Sequence, residues 1–92
     1  MPLDALITRL REYGPAAFLL TTGPGDPRPH VSHVAVTWDD GALVVDVGRS
    51  GTRNLAAVPE AVLLWPPVEP GGYSMIVDVV GRVDGARAHL RP

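Results

Sequence analysis

Pro29–Pro67 reads PHVSHVAVTWDDGALVVDVGRSGTRNLAAVPEAVLLWPP, and its punctuation decides the fold class. Two β-branched runs, His30–Thr37 and Ala42–Val47, flank Asp39-Asp40-Gly41. Glycine accepts the positive φ that tight turns require, so the runs predict an antiparallel hairpin. Directly after the second run stand Arg49, Ser50, Thr52 and Arg53, opening a helical segment over Thr52–Val58 that Pro59 closes. Glu60–Trp65 (EAVLLW) is then a short apolar run fit for a buried strand, stopped by Pro66-Pro67.

Working outward, Leu3, Leu6, Ile7 and Leu10 recur at helical spacing before Gly14-Pro15. Residues 3–13 are therefore expected to form an amphipathic helix, with Asp4 favourably placed in its first turn. Ala16–Thr22 is another apolar strand, and Gly23–Pro29 (GPGDPRP), with three prolines and two glycines, reads as a loop. Beyond the middle, Val68–Gly72 reads as a loop and Tyr73–Val83 as the longest strand, with Gly81 expected at a bulge or bend. Asp84-Gly85 makes a turn, and Ala86–Leu90 begins a last strand. The expected architecture is one mainly β domain over residues 1–92. It is an antiparallel meander or barrel with an N-terminal helix and one short inserted helix. A last strand of this kind would lie at a sheet edge, and an open edge needs a partner. A homodimer is the expected remedy.

Composition narrows the function classes. The 92 residues hold 46% hydrophobic and 20% charged side chains, which suits an ordered domain. Ten glycines and ten prolines favour a turn-rich β domain. A net charge of −2 argues against nucleic-acid binding, which calls for a basic surplus. All eight cationic residues are arginine, so any anion must be met by planar guanidinium forks. The absence of cysteine removes disulfides, thiolate metal sites and a catalytic thiol. No apolar run approaches the roughly 20 residues that span a bilayer, and no signal peptide is visible. The expected setting is cytoplasmic, with no membrane partner.

The chemistry-bearing residues are few. Free N–H groups at a helix start, two hydroxyls and two guanidiniums make Arg49, Ser50, Thr52 and Arg53 a sensible anion site. The competing reading is an ordinary helix cap with solvated arginines. His30 and His33 fall on opposite faces of their strand, so they cannot share a metal ion from it, and no metal site is expected. Trp38 and Trp65 end strands, where aromatic rings commonly cover a core or interface. Tyr13 and Tyr73 carry hydroxyls that nothing in the sequence gathers into a site. Asp78 and Arg82 share one strand face and are expected to pair across a bend. No nucleophile–base arrangement stands out, so catalytic residues stay unassigned and any enzymatic chemistry would belong to a cofactor.

In order and spacing, the PHVSHV strand, WDDGALVVDV, RSGTRNL, AVPEAVLLW and VVGRVDG together resemble the pyridoxamine 5'-phosphate oxidase-like family of flavin-binding split β-barrels. The resemblance spans about Ala16 to Gly85. It implies a homodimeric split barrel holding FMN, or in some relatives an 8-hydroxy-5-deazaflavin coenzyme, near the subunit interface. It implies phosphate contacts from Arg49, Ser50 and Arg53, an arginine where the family usually carries lysine, with Thr52 beside them. Val31, Ser32, His33 and Val34 of the first strand would line the flavin ring, as would Val45 and Asp46 of the second. The implied activity is an FMN-dependent oxidoreductase acting on a small organic substrate. The alternatives are a non-catalytic flavin or deazaflavin carrier, or a degenerate barrel without cofactor.

Overall fold

The computed structural model describes residues 3–92. Helix α1 runs over Leu3–Tyr13, as its spacing predicts, and seven strands follow with one further helix between the fourth and fifth. The strands are β1 (Ala16–Gly23), β2 (Asp26–Ala35), β3 (Thr37–Asp39), β4 (Ala42–Asp46), β5 (Glu60–Trp65), β6 (Met75–Asp84) and β7 (Arg87–Arg91). Helix α2 spans Arg49–Ala57. All seven strands belong to one antiparallel sheet in the order β2-β1-β5-β6-β7-β4-β3. Among the described residues no helix is long and apolar enough to cross a membrane.

The two outermost strands, β2 and β3, are consecutive in the chain and separated only by Val36. Val36 is buried, and its N–H donates to the Pro15 carbonyl at 2.8 Å. The break at this residue lets one length of chain serve both ends of the sheet. Residues 26–35 pair with β1, and residues 37–39 turn away to pair with β4. Among the described residues the hydrogen-bond ladder does not close into a ring, because no register joins the end strands β2 and β3.

Several boundaries differ from the reading of the sequence. Gly23–Pro29 is not a loop throughout, since β2 begins at Asp26. The turn is confined to Pro24-Gly25, where Gly25 has a φ of +74°, and Gly23 faces Asp26 across it. Prolines 27 and 29 are tolerated because β2 pairs on one side only, so a missing N–H costs nothing on the free edge. The expected pairing of His30–Thr37 with Ala42–Val47 survives only as the short Thr37–Asp39/Ala42–Val44 ladder. The turn residues do behave as expected. Asp40 (φ 46°) and Gly41 (φ 79°) are both left-handed, the requirement of a type I′ turn.

Gly81 sits in register with Leu90 of β7, with no bulge there, and on the other side its N–H donates to the Pro59 carbonyl at 2.7 Å just beyond the β5 ladder; the irregularity in the sheet lies at Thr22/Gly23. A methyl group at Gly81 would fall 3.0 Å from Leu55 and 3.1 Å from Leu90, so the glycine makes room for α2. Strand β7 is interior, flanked by β6 and β4, and is no edge. Asp78 and Arg82 form no ion pair among the described residues. Four residues of extended chain separate them by about 13 Å, beyond the reach of their side chains.

The core is built by strict alternation. Ala17, Leu19 and Thr21 of β1, Ala61, Leu63 and Trp65 of β5, and Met75, Val77 and Val79 of β6 all point to one side. Leu6 of α1 and Leu55 of α2 complete the core from the two helices. Helix α1 ends where Gly14, at φ +83°, donates its N–H to the Leu10 carbonyl, a left-handed cap. The fully buried Trp65 donates its indole N–H to the Gly14 carbonyl at 3.1 Å, fixing that corner against β5.

Candidate functional site

Helix α2 starts three residues earlier than its sequence suggests, at Arg49, with Gly48 as N-cap. The Thr52 N–H already donates to the Gly48 carbonyl at 2.9 Å, so Thr52 and Arg53 stand within the helix. The N–H groups of Arg49, Ser50 and Gly51 are the ones left without an intrahelical partner. No side chain caps them, and no acidic residue stands in the first turn. Ser50 and Thr52 are therefore not cap residues, while Arg49 and Arg53 are both exposed, as the competing reading of solvated arginines expects.

Asn54 is the anchor of the helix. The residue is 6% exposed, and its Nδ2 donates to Oγ1 of Thr21, itself buried on β1, at 3.1 Å. A buried polar pair of this kind holds only when satisfied, so it fixes how α2 rotates over the sheet. The rotation turns Ser50 and Arg53 toward the β1–β2 turn. There they share a pocket of about 530 Å³ with Asn54, Gly23, Pro24, Asp26, Arg28, Pro29 and His30.

The electrostatics of this pocket are mixed but net cationic. Arg53 has no carboxylate within 4.0 Å among the described residues. Arg28 is held by Asp26: its Nε donates to Oδ1 at 3.2 Å, its Nη2 to Oδ2 at 3.3 Å, and its backbone N–H to Oδ1 at 3.0 Å. The side-chain bond from Arg28, followed by the backbone bond, holds the Asp26 carboxyl below its usual range. Asp26 therefore remains charged at neutral pH and keeps Arg28 beside the pocket mouth. Two guanidiniums, an imidazole and a hydroxyl against one carboxylate leave an opening for an anion.

The outer face of the sheet carries a second depression of about 620 Å³, lined largely by Leu20, Thr22, Ala61, Val62, Val79 and Val80, with Glu60, Asp78 and Arg91 also in its wall. Pro29 belongs to the walls of both depressions. The cationic pocket, on the α2 side, and the apolar groove, on the outer face, thus flank the end of the β1–β2 ladder, where Thr22 faces Pro29.

The residues singled out from the sequence divide between these surfaces. Ser50 and Arg53 converge in the pocket, whereas Arg49 is exposed outside its lining and Thr52 is half-buried there too. His30 and His33 do lie on opposite faces. His30 lines the pocket, while His33 stacks on Phe18 on the outer face at 5.0 Å between ring centroids. Val31 is exposed on that outer face, with Leu20 as its cross-strand neighbour. Ser32 and Val34 have the opposite orientation, and Val34 belongs to the core. Val45 is fully buried in the core, and the exposed Asp46 pairs with Arg87 at 3.6 Å. Neither Val45 nor Asp46 lines the pocket or the groove.

Arg28 and Asn54 are functional candidates that the sequence did not disclose. Arg28 was hidden by reading GPGDPRP as loop; the Pro-Gly dipeptide between two apolar runs was the available signal for a hairpin. Among the described residues no group of three or more His, Asp or Glu side chains could hold a metal ion.

No protein-family model matches the chain. No solved structure matches it either. The chain is similar to two mycobacterial proteins, uncharacterized protein Mb0449c of Mycobacterium bovis and uncharacterized protein MT0457 of Mycobacterium tuberculosis. Each is 43% identical over 96 aligned residues, which cover 94% of this chain and 65% of the relative. The chain thus spans just under two thirds of the length of these relatives.

Proposed function

We propose that this chain is the cofactor-binding domain of an FMN-dependent oxidoreductase of the split-barrel type, acting on a small organic substrate. The observation that carries this reading is the junction at Pro29 of a pocket bearing Ser50, Arg53, Arg28 and His30 with an apolar groove. A ligand with a phosphate at one end and a flat, largely apolar body at the other has the complementary character. Guanidinium forks match phosphate geometry, and the unpartnered N–H groups at the start of α2 add a positive end of the helix dipole.

In this reading Arg53 supplies the main charge contact and Ser50 a hydroxyl hydrogen bond. Asp26 orients Arg28 as the second guanidinium. Leu20, Val62 and Val80 exclude water from one side of the ring system. A bound flavin would supply the hydride chemistry, which no side chain of the chain provides. An 8-hydroxy-5-deazaflavin coenzyme also joins an anionic tail to a tricyclic ring and is the alternative ligand.

The outer face supports a homodimer as part of the same proposal. Val31, Ile76 and Val80 are more than half exposed there, beside the half-buried Phe18, Leu20, Val62 and Leu64. A contiguous apolar surface of this kind calls for a partner, and a second copy would roof the groove. The curved order in which β2 passes into β3 through Val36 is compatible with a split barrel.

The test is FMN titration of the purified chain, followed by flavin fluorescence, with riboflavin as the phosphate-free control. FMN should bind more tightly than riboflavin. Arg53→Ala should weaken FMN at least about tenfold, the worth of a charge-assisted hydrogen bond, and leave riboflavin unchanged. Equal affinities for the two flavins would remove the phosphate assignment. Bound FMN that never turns over with reduced nicotinamide would point instead to a carrier module.

A further inference from the structure

The groove on the outer face is apolar but not neutral. Its wall holds three charged residues, Glu60, Asp78 and Arg91. Glu60 stands opposite Val80 and Asp78 opposite Val62, so the two carboxylates are diagonal neighbours on β5 and β6. Such neighbours lie about 7–8 Å apart at their backbones. Neither carboxylate has a cationic side chain within 4.0 Å among the described residues.

Arg91 does not answer them. Its Nη1 lies 3.7 Å from where a Cβ on Gly41 would stand, so the guanidinium leans over β4 to the β3–β4 turn, away from β6 and β5. Arg82, the next cation along the outer face of β6, stands outside the groove's wall. Arg28 and Arg53 belong to the pocket on the α2 side. The charge that faces this groove is therefore negative.

Two carboxylates at this spacing repel each other, and a neutral or anionic guest offers them nothing for the water it displaces. A cation set between them is attracted by both, while Leu20, Val62 and Val80 cover an apolar body beside it. At about 620 Å³ the groove lies within the range of small-molecule sites. The phosphate end of a flavin would enter past Pro29, two strands from Glu60 and three from Asp78, so the carboxylates stand at the far end of the groove from it.

We propose that the small organic substrate is a cation, an ammonium group on an apolar body, seated with its charge between Glu60 and Asp78. The inference rests on the preceding reading only in making this ligand a substrate. The charge preference belongs to the groove and needs no flavin.

The experiment titrates the full chain, without FMN, with three probes of one shape: phenethylammonium, phenethyl alcohol and hydrocinnamate. Binding is followed through the backbone amide resonances of Val62 and Val80. At low ionic strength the ammonium should bind about fivefold more tightly than the alcohol, the worth of two exposed ion pairs, and the carboxylate more weakly than either. The preference should shrink in about 0.5 M salt. Glu60→Gln with Asp78→Asn, both exposed and tolerant of exchange, should bring the preference below about twofold and leave the alcohol as it was. Arg91→Ala should preserve the order of the three probes. Equal binding of ammonium and alcohol by the wild-type chain, a preference that survives the double variant, or no binding of any probe overturns the proposal. Should the double variant instead change the sedimentation coefficient with no cation preference in the wild type, the carboxylates serve contact with a second copy and the proposal likewise falls. A cation preference in a chain that takes up no FMN upholds the groove's selectivity and removes only the flavin.

Discussion

The same four strands, β2-β1-β5-β6, present two faces of unequal character. On the inner face Leu19, Leu63 and Trp65 are completely buried, and the one buried polar side chain of these strands, Thr21, is matched by Asn54. On the outer face the residues between them, Phe18, Leu20, Val62, Leu64 and Ile76, are equally apolar but only half-buried or exposed. Alternation should have delivered polar groups to a solvent-facing row, as antiparallel sheets with one wet face usually show. The difference teaches that the outer row is not built for water. Its polar members, among them His33, Thr22, Glu60 and Asp78, are interspersed with the apolar ones, and His33 is itself stacked on Phe18.

Substitutions on the two faces should therefore fail in different ways. The largest expected effect is on the inner face: Leu63→Ala should cost about 2–5 kcal/mol in urea-induced unfolding, because a fully buried leucine leaves a cavity. A loss under 1 kcal/mol would show that the inner face is not the core. Thr21→Val should follow, at about 1–3 kcal/mol, since it strips the Asn54 amide of its buried partner while keeping the shape. An unchanged melting temperature there would mean that α2 is not anchored through this bond. The smallest effect on folding belongs to the outer face: Ile76→Ser should stay within about 0.5 kcal/mol for the isolated protomer. In the proposed homodimer it should nonetheless lower the sedimentation coefficient by shifting the protein toward monomer. A variant that stays fully associated would remove this face as the contact surface.

Legibility followed the range of the interactions involved. The α1 bounds and the β5 bounds agree with their sequence patterns because each is closed by local punctuation, Gly14-Pro15 and Pro66-Pro67. The Asp40-Gly41 turn was readable for the same reason. The prolines of GPGDPRP gave a false loop, since a proline forbids a ladder bond only where a second strand would claim its N–H, and β2 has no such neighbour. The pairing of β2 with β1 rather than β4 left no local trace. Of the candidate site, Ser50 and Arg53 were visible as an anion-binding type of cluster, whereas Arg28 comes from a distant hairpin and Asn54 looks like an ordinary helix residue until its buried partner is seen.

By itself the amino-acid order determined the kind of elements, their approximate lengths and the clustering of hydroxyls and guanidiniums after the second β-branched run, because periodicity, turn residues and charge act within a few positions of the chain. Only the tertiary structure decided which strands pair, which of four clustered hydroxyls and guanidiniums look into one pocket, and that this pocket opens beside an apolar groove. Those outcomes depend on the rotation of α2 about the Asn54–Thr21 bond and on the change of direction at Val36. Both join residues whose proximity is created by packing, so no window along the sequence contains them.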